Sequence, residues 1–160
     1  MQKIREWHYY RDKEGGLFHE GFKMEEPWLL CLLNEGLQKK EDGRLYAVCQ
    51  GEVCYLTCED TPYVVQGIEA RKDSQGKLRS VLLNLGGGYT EPLNLSTLFV
   101  GKGDVLYCWV RGGQFIARFS RKSYYQLTPF VEKNAQGLFF IEHAGEKYFI
   151  YEKKSQDLPL

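Results

Sequence analysis

Short runs of alternating hydrophobic and polar residues dominate the chain, and Gly, Asn and Asp mark the turns between them. This period of two residues predicts β-strands, because successive strand side chains point to opposite faces. We expect a strand–turn–strand at "HYYRDKEGGLFHEGF" and a hairpin turning at Gln50-Gly51 in "GRLYAVCQGEVCYLTCE". "PYVVQGIEAR" and "KLRSVLLNL" predict a strand pair, and "TLFVGKGDVLYCWVRGGQFIARF" predicts three strands. "GLFFIEHAGEKYFIYE" predicts a last hairpin near Ala144-Gly145.

Two segments have helical character instead. "EEPWLLCLLNEGLQKK" carries a wide apolar face that includes Trp28, with Pro27 suited to a first helical turn and Lys39 and Lys40 suited to the helix end. The helix is therefore expected to pack deeply. "SRKSYYQL" predicts a short second helix with Ser120 as its cap.

The order of these elements suggests an internal duplication. Residues 8–59 and 107–152 each read as hairpin, helix, hairpin. "GGLFHEGF" at Gly15 matches "GGQFIARF" at Gly112, and Gly51-Glu52 matches Gly145-Glu146. The predicted fold class is α+β, mostly antiparallel, with two duplicated lobes. We place an N-terminal lobe with the main helix at residues 1–75 and a C-terminal β lobe at residues 76–160.

Composition and charge exclude several classes of protein. Lys plus Arg and Asp plus Glu are equal at 21 each, so the chain lacks the basic excess of a general nucleic-acid binder. No apolar run approaches the roughly 20 residues of a membrane helix. The start lacks the apolar stretch of a secretion signal, and the five cysteines are an odd number, so we expect reduced thiols in a cytoplasmic protein.

No catalytic or metal motif is recognisable. The glycine-rich "NLGGGYTEP" lacks the G-K-[ST] ending of a phosphate loop, and no G-x-S-x-G is present. Cys54 and Cys58 lie further apart than a zinc C-x-x-C pair. His8, His19 and His143 have no partners at metal-ligand spacing. We therefore predict a protein that is not an enzyme, with no metal and no cofactor.

Several motifs resemble a bacterial family named domain of unknown function 1285. The run "DGRLYAVCQGEVCYLTCEDTPYVV" places Glu52 eight residues before Asp60, and Asp60 opens a D-x-P-[FY] motif that ends at Tyr63. The later "ARFSRKSYY" supplies Arg118, Arg121 and two tyrosines. The chain departs from the family where "CQGEV" replaces T-P-V-E-K, so the proline and lysine are missing.

The resemblance implies a duplicated core with a C-terminal half similar to a pleckstrin-homology module. It also implies a ligand site between the halves that suits a nucleotide-like molecule, and a role in signalling.

Six residues are candidates for that ligand site. They combine acids, arginines and tyrosines from the two halves of the chain: Glu52, Asp60, Tyr63, Arg118, Arg121 and Tyr124. Two guanidiniums beside a helix start suit a phosphate or carboxylate, and a tyrosine suits stacking on a base. Each has a structural alternative: Asp60 as a turn acid, the arginines as a solvated strand end, and one tyrosine of the Tyr124-Tyr125 pair as core.

These observations support two functional hypotheses. The first is a non-catalytic module that binds a small, nucleotide-like anion at the cleft between the lobes and has a role in signalling. The second is a protein-interaction scaffold without a small ligand, in which Trp7, Trp109 and Tyr151 form the contact face. Ligand identity, pathway and oligomeric state do not follow from the sequence.

Overall fold

The computed structural model describes residues 3–153 as an α+β structure of three sheets and two α-helices. The first strands are β1 (Glu6–Arg11), β2 (Leu17–His19), β3 (Phe22–Met24), β4 (Gln38–Lys39), β5 (Leu45–Cys49), β6 (Glu52–Cys58), β7 (Tyr63–Val65) and β8 (Gly67–Lys72). The others are β9 (Leu78–Asn84), β10 (Thr90–Pro92), β11 (Phe99–Val100), β12 (Leu106–Val110), β13 (Phe115–Phe119), β14 (Val131–Lys133), β15 (Phe139–His143) and β16 (Glu146–Glu152). The predicted α+β class is confirmed.

Helix α1 spans Pro27–Gly36 and is shorter than the sequence pattern suggests. Leu37 is already extended, and Gln38–Lys39 pair with β5 as strand β4, so the lysines do not end the helix. The apolar face is also narrower than expected, because Trp28 is 56% exposed while Leu29 and Leu33 are buried.

Helix α2 spans Arg121–Leu127 and begins at the predicted cap. The Ser120 hydroxyl accepts a hydrogen bond from the backbone N–H of Ser123 at 3.1 Å, which satisfies one of the free donors of the first turn. Neither helix of the described chain is long and apolar enough to cross a membrane.

The strand order reveals the duplication. The first sheet has the order β3-β2-β1-β6-β5-β4, and the seven-stranded sheet has the order β14-β15-β16-β11-β12-β13-β7. In each, the first strand of a three-strand meander pairs in parallel with the last strand of the second meander, and the helix lies between the meanders. We call residues 6–58 the first unit and residues 99–152 the second unit.

The repeated unit is therefore three strands, a helix and three strands, instead of the predicted hairpin, helix and hairpin. The match between Gly51 and Gly145 is correct, since both follow a residue of positive φ in the turns β5–β6 and β15–β16. The match between Gly15 and Gly112 is wrong by one strand. Gly15 precedes the second strand of its unit, whereas Gly112 precedes the third, because β11 is too short to stand out in the sequence.

Pairing registers assign equivalent positions in the two units. Tyr10 pairs with Thr57 and Phe18, and Phe99 pairs with Tyr151 and Tyr107 in the same arrangement. One residue further along, Arg11 pairs with Cys58 and Leu17, and Val100 pairs with Glu152 and Leu106. Tyr10 is thus equivalent to Phe99, and Arg11 is equivalent to Val100.

The segment between the units does not divide at the predicted boundary. Residue 75 lies in the turn between β8 and β9, which pair with each other in a three-stranded sheet of order β10-β9-β8. A boundary between residues 75 and 76 would separate two paired strands. Strand β7 adds in parallel to the edge of the second unit at β13.

One hydrophobic core joins all these elements. Buried residues of the first sheet, α1, the three-stranded sheet, the seven-stranded sheet and α2 belong to a single cluster, for example Leu17, Leu33, Leu83, Ile141 and Leu127. The two units therefore share a core. The likeness of the C-terminal half to a pleckstrin-homology module stays a prediction.

Candidate functional site

The structure brings two of the six candidate residues into direct contact. Arg118 Nη1 on β13 lies 2.8 Å from Asp60 Oδ2, which follows β6 of the first unit. The Tyr107 hydroxyl donates to the same carboxylate oxygen at 2.7 Å. Burial and this hydrogen bond raise the pKa of Tyr107 to about 12. An ion pair therefore joins the segment just after the first unit to the second unit, with Asp60 as the partner of Arg118.

Thr61 ties this ion pair to Tyr63. Its hydroxyl accepts from the backbone N–H of Arg118 at 3.2 Å and donates to the carbonyl of Tyr63 at 2.6 Å. Thr61 is 5% exposed, and Tyr63 is 1% exposed. The strand β7 is therefore fixed against the second unit by side-chain as well as backbone hydrogen bonds.

Glu52 lies elsewhere. Its carboxylate accepts a hydrogen bond from the indole N–H of Trp7 at the start of β1. Glu52 opens β6, which extends for about 20 Å at roughly 3.3 Å per residue, and Asp60 lies beyond its other end. Glu52 is therefore not a partner of Arg118, whose guanidinium is held by Asp60.

Arg121 and Tyr124 lie on the outer surface of α2. Both are exposed, and Tyr124 contacts Tyr125 edge to face at 5.7 Å between ring centroids. Arg121 forms no ion pair within residues 3–153. Asp60, Arg118 and Tyr63 are therefore linked, whereas Glu52, Arg121 and Tyr124 are joined to them by no side-chain hydrogen bond or ion pair within residues 3–153, so the six candidates do not form one site.

Tyr63 leads to a second polar cluster that sequence reasoning missed. Its hydroxyl donates to the carbonyl of Asn34 on α1 and accepts from Arg111 Nη1 at 2.8 Å. Arg111 Nη1 also donates to the Asn34 carbonyl at 3.1 Å. Arg111 follows β12 of the second unit, so its side chain reaches from the second unit to the helix of the first.

Asn34 is the centre of this cluster and is 2% exposed. Its side-chain oxygen accepts from Arg11 Nη2 at 3.0 Å, and its amide donates to the carbonyls of Leu85 and Gly86 at 3.0 Å each. The side chain thus contacts both the end of β1 and the loop after β9. We call Arg11, Asn34, Tyr63 and Arg111 the seam, because the two units and the linking segment meet there.

Arg11 is an unusual residue for such a place. It is 3% exposed, donates to Gly15 O at 3.0 Å and to Asn34, and its Nε has no hydrogen-bond partner within the described chain. Burial lowers the pKa of the guanidinium. Buried charges are normally paired because removing an ion from water costs several kcal/mol.

The seam is poor in negative charge. The Glu91 carboxylate is hydrogen-bonded to the backbone of a seam residue. Its oxygens accept from the backbone N–H of Arg111 at 2.9 Å and from the Tyr89 hydroxyl at 2.8 Å. Neither guanidinium of the seam forms an ion pair with a carboxylate among residues 3–153. The seam therefore has two cations and hydrogen-bonding capacity left for an anion.

Two local signals point to these residues in the sequence. Arg11 continues the inward-facing alternation of Trp7 and Tyr9, where an apolar residue is expected, and Asn34 interrupts the apolar face of "WLLCLLNEG". Nothing local marks Arg111, since it stands in an ordinary glycine turn.

Within the described residues, no group of three His, Cys, Asp or Glu side chains is placed to hold a metal ion. The five cysteines are free thiols, and burial raises the pKa of Cys54 and Cys58 to about 11. These thiols are poor nucleophiles at neutral pH.

Fold and seam together define an α+β protein built from a duplicated unit of three strands, a helix and three strands, with a buried polar junction. No family model and no curated protein matches the chain by sequence. Two solved structures share its fold. A DUF1285 family protein from Silicibacter pomeroyi DSS-3 has a TM-score of 0.66 and 20% identity, over 92% of this chain and 82% of that protein. A DUF1285 family protein from Shewanella baltica OS155 has a TM-score of 0.53 and 15% identity, over 76% and 90%.

The chain therefore has the fold of these DUF1285 family proteins, as the resemblance in its sequence predicts. The name denotes a domain of unknown function.

Proposed function

We propose that the chain is a non-catalytic module that binds a small anion at the seam between its two units. The observation that carries the proposal is the pair of guanidiniums, Arg11 and Arg111, that converge on Asn34 without an ion pair in the described chain. An anion would complete the charge balance of the seam. A nucleotide-like ligand and a signalling role in the cytoplasm are the specific forms that the family resemblance suggests.

The internal duplication supports this reading of Arg11. The equivalent position in the second unit is Val100, a partly buried apolar residue that packs against the core. The fold can therefore be built with an apolar residue at this position. A buried arginine in its place costs stability, so its presence favours a functional role over a purely structural one.

Accessibility favours Arg111 as the residue that contacts a ligand first. It is half-buried, and only its Nη1 and backbone N–H are engaged by Asn34, Tyr63 and Glu91. The remaining guanidinium donors form a planar fork that matches a carboxylate or phosphate. Asp60 and Arg118 border the seam through Thr61, and their mutual ion pair makes them supports of the site in this proposal.

Calorimetric titration of inorganic phosphate and of nucleoside mono- and diphosphates tests the proposal. Arg111→Gln should weaken binding by about 1.5–3 kcal/mol, or roughly 10- to 150-fold in Kd, because it removes a charged hydrogen-bond donor. Arg121→Gln is the matched control on exposed α2 and should bind like wild type. Circular dichroism and thermal melts check that each variant is folded.

Two results would contradict the proposal. If wild type binds none of these anions, the seam is a structural junction. If Arg111→Gln and Arg121→Gln have the same effect on binding, the ligand does not contact Arg111 and the proposed site is wrong. The protein-interaction hypothesis would then become the leading one. Of its three predicted aromatics, Tyr151 is 57% exposed, whereas Trp7 and Trp109 are half-buried.

A further inference from the structure

The outer face of the first sheet carries an open groove of about 600 Å³. It lies over the paired strands β1 and β2 and is lined by His8, Tyr10, Asp12, Phe18, Glu20 and Thr57. Tyr10 and Phe18 face each other across the two strands, and Tyr10 is 42% exposed. The groove therefore has an aromatic floor that solvent reaches.

The second unit has the same aromatic pair in a different state. Phe99 and Tyr107, which are equivalent to Tyr10 and Phe18, stack at 5.3 Å between ring centroids. Phe99 is fully buried, and the ammonium of Lys153 lies 4.8 Å from its ring centroid. A lysine thus occupies the aromatic floor of the second unit through a cation–π contact.

Glu59 occupies the position of Lys153 in the first unit. The backbone N–H of Lys153 donates to the carbonyl of Val100 at 2.8 Å, and that of Glu59 donates to the carbonyl of the equivalent Arg11 at 2.8 Å. The Glu59 side chain instead accepts a hydrogen bond from the backbone N–H of Lys13 at 2.8 Å. The first unit therefore has an acid where the second has a lysine, and its aromatic floor is uncovered.

The charged side chains that line the open groove are acidic, although Lys23 of β3 pairs with Phe18 at its edge. Asp12 and Glu20 line it, and no lysine or arginine does. Partial desolvation and the neighbouring carboxylates of Glu59 and Asp12 raise the pKa of the Tyr10 phenol. Negative charge beside an exposed ring face is the complement of an organic cation.

We propose that this groove is a docking site for a lysine side chain carried by an extended segment of a partner protein. The ammonium would lie over Tyr10 as that of Lys153 lies over Phe99, with Glu20 and Glu59 as its neutralising acids. The aromatic floor, the charge and the filled copy in the second unit all favour the same occupant. The proposal is independent of anion binding at the seam.

The test uses the full chain, labelled with ¹⁵N, and an N-acetylated, C-amidated tetralysine peptide at about 0.15 M salt, where long-range steering is largely screened. Amide shift changes at Tyr10, Phe18 and Thr57 should saturate with the peptide. The same peptide with every lysine acetylated should bind at least tenfold more weakly. Equal binding of the acetylated peptide would overturn the proposal, because no cation would then be recognised.

Two variants and one matched control locate the site. Tyr10→Ala should weaken binding between about two- and thirtyfold, the range of a cation–π contact. Glu59→Lys gives the first unit the lysine that the second unit has at this position. The new side chain should compete with the peptide for the groove and weaken peptide binding more than tenfold. Glu132→Lys makes the same charge change on exposed β14 and should stay within about threefold of wild type.

The remaining outcomes contradict the proposal. If Glu59→Lys and Glu132→Lys weaken the peptide equally, binding follows net charge and not the groove. If Tyr10→Ala binds like wild type, the aromatic floor has no role. A titration with methylammonium tests whether a free amine is enough. If methylammonium binds as tightly as tetralysine, the occupant is a free amine and not a polypeptide segment.

Discussion

Tyr63→Phe isolates the contribution of one hydroxyl to the seam. The substitution keeps a ring that is 1% exposed and that contacts Phe115 at 5.7 Å between centroids. It removes the acceptor of the 2.8 Å hydrogen bond from Arg111 and the donor to the Asn34 carbonyl. The main effect is therefore the loss of the hydrogen bond between the Tyr63 hydroxyl and the charged guanidinium of Arg111.

The structure fixes the expected magnitude. A hydrogen bond to a charged group contributes about 1.5–3 kcal/mol and a neutral one about 0.5–1.5 kcal/mol. The second loss is partial, because the Asn34 carbonyl keeps its 3.1 Å hydrogen bond from Arg111. We expect Tyr63→Phe to lower the free energy of unfolding by about 2–3 kcal/mol.

Urea denaturation followed by tryptophan fluorescence measures this change, with the midpoint shifted and the slope m unchanged. Tyr46→Phe is the control, because its hydroxyl donates to Gln38 at 2.9 Å on the exposed surface and should contribute less than about 0.5 kcal/mol. The reasoning fails if both variants lose the same stability, or if Tyr63→Phe stays within about 0.5 kcal/mol of wild type.

Three further predictions test other parts of the fold. Asp60→Asn should cost about 1 kcal/mol in denaturation experiments, because its ion pair is partly exposed and screened. Tyr107 should ionise near pH 12 in an alkaline absorbance titration, since its pKa in the folded protein is raised above the ordinary value of about 10. The stability linked to this shift is present below pH 10 and falls as the pH rises towards 12. Gly87→Ala should cost about 2–4 kcal/mol, since φ is +64° and a Cβ would lie 2.5 Å from Leu30, whereas Gly88→Ala, with φ of +81° and no close neighbour, should cost only about 1 kcal/mol in the same assay.

Local chemistry explains what the sequence predicts well. The β5–β6 turn has φ of +51° at Gln50 and +79° at Gly51, a conformation that two-residue hairpins need and that glycine adopts easily. The Ser120 cap is also predictable from the sequence, because the N–H that it accepts from belongs to Ser123, only three residues away. Both features depend on short segments whose geometry the residues themselves determine.

The seam could not be predicted in the same way. Asn34, Tyr63 and Arg111 come from α1, β7 and the turn after β12, so only the folded core places them together. The sequence places Asp60 and Arg118 among the candidates for one site between the halves, and the two do meet. Glu52 was expected there too, and the direction of β6 takes it to the other end of the sheet.

The duplicated units separate what the fold requires from what it only permits. Equivalent core positions keep apolar side chains, as in Leu17 and Leu106, which are 1% and 5% exposed. The charge differs at two pairs of equivalent positions. Arg11 of the first unit corresponds to Val100 of the second, and Glu59 corresponds to Lys153. Because the same topology tolerates either residue at each position, packing alone does not demand the buried arginine or the acid beside Tyr10. The seam and the groove each contain one of these divergent positions, which is the physical reason to look for function there.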